Sequence, residues 1–240
     1  MDDVRPVPLT SGWISFGLGD VRPCDATYCV YADSDLPPLP VGPYTGEPHW
    51  LPPLAPDLDQ RMKAFRPPPA DRDRSRANLP RLATAVQRAG LELPPAFLRL
   101  MGSQVLQDRI PSCTACYFEL RGQLLPCPGS EEAFMVSFLI DQQAVVTWYL
   151  VLTRNAGHCV VASSVHPVEL AGDRLAQAQA VFIDDAVVCA RSFEEFLYRF
   201  WLENIIYFAL YDGRPLTDEQ RRYVDFYRRL RDRQGQPADS

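Results

Sequence analysis

Lysine is nearly absent. Of 24 cationic residues in the 240-residue chain only Lys63 is a lysine, and it stands in a proline-rich stretch. A Schiff-base or phosphate-loop lysine is therefore not expected. A basic excess is missing too: the net charge is -6 and the pI about 5.1, so a nucleic-acid backbone is not expected as partner. Long hydrophobic runs are missing. The longest, residues 144–152 with Thr147 inside it, falls far short of the roughly 20 residues that span a bilayer, and no membrane partner is expected. Walker, dinucleotide-glycine, HExxH, EF-hand and G-x-S-x-G motifs are all lacking, which removes the commonest readable enzyme classes. The opening Met1-Asp2-Asp3-Val4-Arg5-Pro6 has acid where a signal peptide needs base, so the reading expects a cytoplasmic protein. On that basis the seven cysteines, an odd number, are expected as reduced thiols.

Proline organises what is present. Fifteen of the 23 prolines fall within the first 80 residues, and each removes a backbone donor and biases its neighbour to extended conformations. No regular structure is expected through the densest part, residues 36–69. Before it, Trp13-Ile14-Ser15-Phe16 and Thr27-Tyr28-Cys29-Val30-Tyr31 read as short strands or apolar anchors. Residues 1–75 are therefore expected to be a partly ordered, proline-rich N-terminal extension, either wrapping the fold or disordered in its proline-rich part.

From Arg76 the spacing turns helical, with Leu79, Leu82, Ala83, Val86 and Ala89 on one face and Gly90 beyond the end. Leu93-Pro94-Pro95 introduces a shorter helix that Gly102 stops. Tyr117-Phe118-Glu119-Leu120 reads as a strand, and residues 134–140, 144–152 and 158–163 as an antiparallel meander. Both parities of the middle run are apolar, so that strand should be central and covered on both faces. Val181-Phe182-Ile183 and Ala186-Val187-Val188-Cys189, interrupted by Asp184-Asp185, suggest further strand. Ser192-Phe193-Glu194-Glu195 is a capping box opening a mostly buried helix, and Thr217-Asp218-Glu219-Gln220 caps a last one bearing six arginines from Arg221 to Arg233. A tail is expected from Gly235. The expected fold class is α+β, a largely antiparallel sheet with flanking helices, in a domain over residues 76–216 followed by an Arg-rich helix and tail over 217–240.

Four segments in order carry a family likeness: Leu93-Pro94-Pro95-Ala96-Phe97 leading to Gly102; Ile110-Pro111-Ser112-Cys113-Thr114-Ala115-Cys116-Tyr117-Phe118; the Trp148-bearing hairpin; and Ser192-Phe193-Glu194-Glu195-Phe196-Leu197. Over residues 76–212 the chain resembles the SUKH superfamily, the Smi/Knr-like domains. The resemblance implies a helix introduced by Leu-Pro beside the sheet and a terminal helix closing the core. It also implies a non-enzymatic protein-binding module, either an immunity protein that neutralises a polymorphic toxin domain or a regulatory or housekeeping interaction protein. Its motifs are packing motifs, so they speak to fold more than to function. Met101-Gly102-Ser103 departs from the family's usual aromatic or Asn before glycine, and the first 75 residues have no counterpart in it.

Candidate chemistry is sparse. Cys113 and Cys116 form a CxxC with Cys127 downstream, the weak candidate for a zinc site. The CxxC runs into a strand, where residues three apart point to opposite faces, so packing thiols are the preferred expectation and no cofactor is called for. Asp184-Asp185 in a strand would diverge rather than share a proton, and His49, His158 and His166 lack a partner motif. If a partner surface exists, Asp141 and Arg154 at the meander turns with Asp184 and Asp185 are its candidates.

Overall fold

In a computed structural model, described for residues 9–40, 48, 50–154, 157–171, 173 and 175–234, the chain is α+β. It runs through β1 (Thr10–Ser11), β2 (Trp13–Ser15), β3 (Cys29–Tyr31), α1 (Pro56–Lys63), α2 (Pro69–Arg88), α3 (Pro95–Met101) and α4 (Gln104–Gln107). Then follow β4 (Tyr117–Phe118), β5 (Leu125–Pro126), β6 (Ala133–Ile140), β7 (Thr147–Thr153), β8 (His158–Ser163), α5 (Leu175–Asp185), β9 (Val187–Ala190), α6 (Phe193–Tyr211) and α7 (Asp218–Gln234). The main sheet has the order β1-β9-β8-β7-β6-β4, with β5 also on β6. Its pairs are antiparallel except β1 with β9, and β2 and β3 form a separate antiparallel pair.

The meander forms where alternation and turn chemistry agree. Along β7, Trp148, Leu150 and Leu152 enter one core while Tyr149 and Val151 enter the opposite one, as a period of two requires. The β6–β7 turn is fixed by Asp141, whose Oδ1 accepts the amides of Gln143 at 2.8 Å and Val145 at 3.4 Å, while Ala144 takes a left-handed φ of 55°. On one face α2, α3 and α6 bury a cluster of rings: Phe97, Phe138, Trp148, Phe193 and Phe196 meet mostly edge to face, with centroids 5.1–6.3 Å apart, the arrangement that aligns positive ring edges with negative faces. The other face is covered by α5 through Ala178 and Phe182. A third core joins α6 to α7 through Tyr198, Leu202, Ile206, Tyr223, Val224 and Tyr227.

The N-terminal stretch packs on the fold, with the expected short strands present as β2 and β3, and several other expectations need correction. Trp13 is fully buried in the central ring cluster, β1 extends the main sheet, and Gly12 between β1 and β2 has no room for a side chain because a Cβ would lie 3.0 Å from the Tyr31 carbonyl. Helix α1 lies inside the proline-rich stretch, because Pro56 occupies its first position, where the missing N–H costs nothing. Helix α2 starts at Pro69, seven residues before the expected Arg76, and runs through Pro80. Pro80 faces solvent, so water can take the carbonyl that its ring deprives of a donor. Val181-Phe182-Ile183 is the end of α5 and not a strand, since Ala178 and Phe182, four apart, are the buried positions. Cys24 and Cys29 form a disulfide, leaving Cys113, Cys116, Cys127, Cys159 and Cys189 free, so not all seven thiols are reduced. His49, Asn155 and the tail from Gly235 lie outside the described residues.

Candidate functional site

The CxxC lies in a loop that Ser112 and Ala115 shape. The Ser112 hydroxyl accepts the Cys116 amide at 2.8 Å, and Ala115 turns the chain with a φ of 58°. The Cys116 sulfur lies 3.3 Å from both the Thr114 hydroxyl and the Tyr28 hydroxyl, and Tyr28 donates to Asp141 at 2.7 Å. Cys113 donates its amide to the Asn204 side chain on α6 at 2.8 Å. Burial pushes both thiols above their usual range, Cys113 well above it, which disfavours the thiolate that a nucleophilic role requires. Cys127 sits across the sheet in the α5 core, where burial pushes it to about 12. The three thiols therefore do not converge, and among the described residues no three His, Cys, Asp or Glu side chains group as a metal site.

The four surface candidates separate. Arg154 and Asp184 are exposed. Asp141 is only 2% exposed and is consumed by Tyr28 and the turn amides, so it cannot be a displayed contact. Asp185 is half-buried and accepts the Ser163 hydroxyl at 2.7 Å and the Ser164 amide at 2.8 Å, stapling the end of α5 to the end of β8. A carboxylate at a helix C-terminus opposes the macrodipole, and these two donors offset that cost.

Asp184 belongs to a surface that α5 makes. From Leu175 to Ile183 the helix has no charged residue, yet Leu175, Val181 and Ile183 are 40–48% exposed and nearby Val168 is 57% exposed. Helical geometry places Ala176, Ala180 and Ile183 on one flank and Val181 on the other, with Gln177 between. Carboxylates rim this apolar arc. The loop carrying Glu131 and Glu132 abuts it, since a Cβ at Gly129 would lie 3.7 Å from Ile183. Glu169 precedes the helix in the 3-10 turn packed on it. Asp173 and Asp184 stand near its two ends, and all five carboxylates are exposed.

A second constellation is internal. Glu203 on α6 is fully buried and accepts from Trp13 Nε1 at 2.8 Å, Ser15 Oγ at 2.6 Å, Tyr223 OH at 2.7 Å and Arg22 Nη1 and Nη2 at 2.6 and 2.8 Å. Burial alone would raise its carboxyl, but the Arg22 charge and the donated hydrogen bonds overcome it and hold the group at about 2. One turn earlier on α6, Arg199 donates Nη1 to the Tyr223 hydroxyl at 3.0 Å and to the Pro37 carbonyl at 3.1 Å. Arg22 and Arg199 together carry two positive charges and Glu203 one negative, leaving a buried excess of one. The sequence holds a trace of this cluster: Arg199 and Glu203 stand four apart on a helix whose neighbours Tyr198, Phe200, Leu202 and Ile206 are apolar. Charges in a buried helical face need partners.

Compared with family models, curated proteins and solved structures, the chain matches none.

Proposed function

We propose that this chain is a non-enzymatic protein-binding module that captures a basic partner on the α5 face. The observation that carries the reading is the uncharged, exposed arc of Leu175, Ala176, Ala180, Val181 and Ile183 ringed by the carboxylates of Glu131, Glu132, Glu169, Asp173 and Asp184. An apolar centre supplies the area removed from water on binding, and the acidic ring accelerates encounter with a cationic surface and orients it. Charge repulsion within the ring also disfavours a second copy of the same face as occupant. The likeness to SUKH domains supports the same class and suggests a toxin domain as the partner, with a regulatory role as its alternative.

The test compares wild type with Ile183→Arg and with the double variant Glu131→Lys/Glu132→Lys in affinity capture from the native cytoplasm, scored by mass spectrometry. One basic protein should be retained by wild type, lost by Ile183→Arg, and bound more slowly by the double variant, with the difference shrinking in high salt. A partner bound equally by all three, with folding intact in each, would place the interface elsewhere.

A further inference from the structure

The buried cation excess opens onto a groove. Residues Pro37, Pro38 and Leu39 lie over α6 and α7, and between this strap and the end of β9 runs a cleft of about 540 Å³ that Arg199 lines. Arg199 is only 6% exposed. Its Nη1 is taken by Tyr223 and Pro37, whereas Nε and Nη2 make no hydrogen bond among the described residues and are not among the sealed-off nitrogens. The guanidinium thus turns its unused edge to the cleft, with its carbon 5.8 Å from the Trp13 ring centroid. No carboxylate of the described residues forms an ion pair with it. A buried guanidinium with two unused donors and solvent access, which shares the single Glu203 charge with Arg22, lacks a carboxylate of its own in this position.

We propose that this cleft is a binding site for a small carboxylate, held side-on by Nε and Nη2 of Arg199. A monoanion matches the single excess charge of the Arg22, Arg199 and Glu203 cluster. A phosphate dianion would exceed that charge, and the other charged residues lining the cleft, Asp33, Glu195 and Arg191, together add one further negative charge against it. Glu195 is already committed, accepting the Arg191 amide at 3.1 Å. Asp33 is exposed, and it favours a ligand that carries an ammonium beyond its carboxylate, as a free amino acid does. None of the residues lining the cleft belongs to the apolar arc of α5 or to its carboxylate ring.

The experiment follows the Arg199 Nε–Hε signal of the 15N-labelled full chain by NMR during titration with acetate, glycine, inorganic phosphate and, as an ionic-strength control, chloride. Acetate and glycine should move that signal saturably, glycine at lower concentration, while phosphate and chloride should not. Arg199→Gln should weaken glycine binding by about tenfold or more, followed on the neighbouring Trp13 indole signal. Absence of a saturable carboxylate shift in the wild type overturns the proposal, and this holds whether or not the variant folds. An equal response to phosphate overturns its carboxylate selectivity.

Discussion

Replacing Glu203 by Gln tests whether the buried charge cluster ties the N-terminal stretch to the α6–α7 pair. The carboxylate accepts hydrogen bonds from Trp13, Ser15, Arg22 and Tyr223, all buried or nearly so. Glutamine keeps one acceptor, introduces an N–H pair among donors, and leaves the Arg22 and Arg199 guanidinium groups with no negative charge between them. Removing one partner of a buried ion pair costs about 3–5 kcal/mol, which for a chain of this size lowers the melting temperature by roughly 6–20 °C. The pH dependence supplies an independent check. The carboxyl is held at about 2 against an ordinary 4.5, a gap worth about 3 kcal/mol. Since the folded value is the lower one, this stability is present above pH 4.5 and is lost as pH falls towards 2. Urea unfolding of wild type and Glu203→Gln from neutral to acid pH should therefore show a difference that is widest near neutrality and closes on acidification. A difference below about 1 kcal/mol, or one that does not change with pH, would refute the account. The double variant Arg22→Met/Glu203→Leu should recover part of the loss, because it removes the charges together with their desolvation cost.

The sequence was most legible where a local pattern and the tertiary environment call for the same structure. The alternation in residues 134–163 became β6, β7 and β8 because those strands are sandwiched between two cores, and the Ser192 capping box opened α6 with its hydroxyl accepting the Glu195 amide at 3.1 Å. Legibility failed where two readings share a local signature. Val181-Phe182-Ile183 looks extended as a triplet, and only the burial of Ala178 and Phe182 on the sheet decides for helix. Proline density hid α1, since Pro56 at a helix start and Pro53 in a loop look alike until the fold supplies a surface for Leu58 and Met62. The Glu203 cluster was hidden for a different reason. Its members, Trp13, Ser15, Arg22, Arg199, Glu203, Tyr223 and Tyr227, lie up to 205 residues apart in hydrogen-bonded pairs, and no spacing rule links them. The surface candidates divided along the same line: Arg154 and Asp184 face solvent as expected of turns and ends, whereas Asp141 is drawn inward by Tyr28, a residue of the stretch that the sequence sets apart from the domain.

The thiols give a count that checks the covalent structure: of the five free cysteines, native protein should leave the buried Cys127, Cys159 and Cys189 unreactive towards an aromatic disulfide reagent. Denaturation should expose five, and reduction before denaturation all seven; seven without reduction would remove the Cys24–Cys29 bond. Converting Cys24 and Cys29 to Ser should cost about 2 kcal/mol in urea unfolding, the loop-closure entropy of so short a loop. Truncating Phe182 to Ala should cost about 3–5 kcal/mol, because that ring is fully buried between α5 and Tyr149, at a centroid distance of 5.6 Å; a loss under about 1 kcal/mol would mean that α5 is not seated on the sheet. The sharpest test of local backbone strain is glycine at Ala115 and Ala144, which hold φ of 58° and 55°. An L side chain in the left-handed region costs about 1–2 kcal/mol, while glycine adds about 0.4–1 kcal/mol of unfolded-state entropy. Each substitution should therefore stabilise by between about 0 and 1.6 kcal/mol, the reverse of what glycine does in a strand or helix, and a destabilisation at both sites would show that these turns are not left-handed.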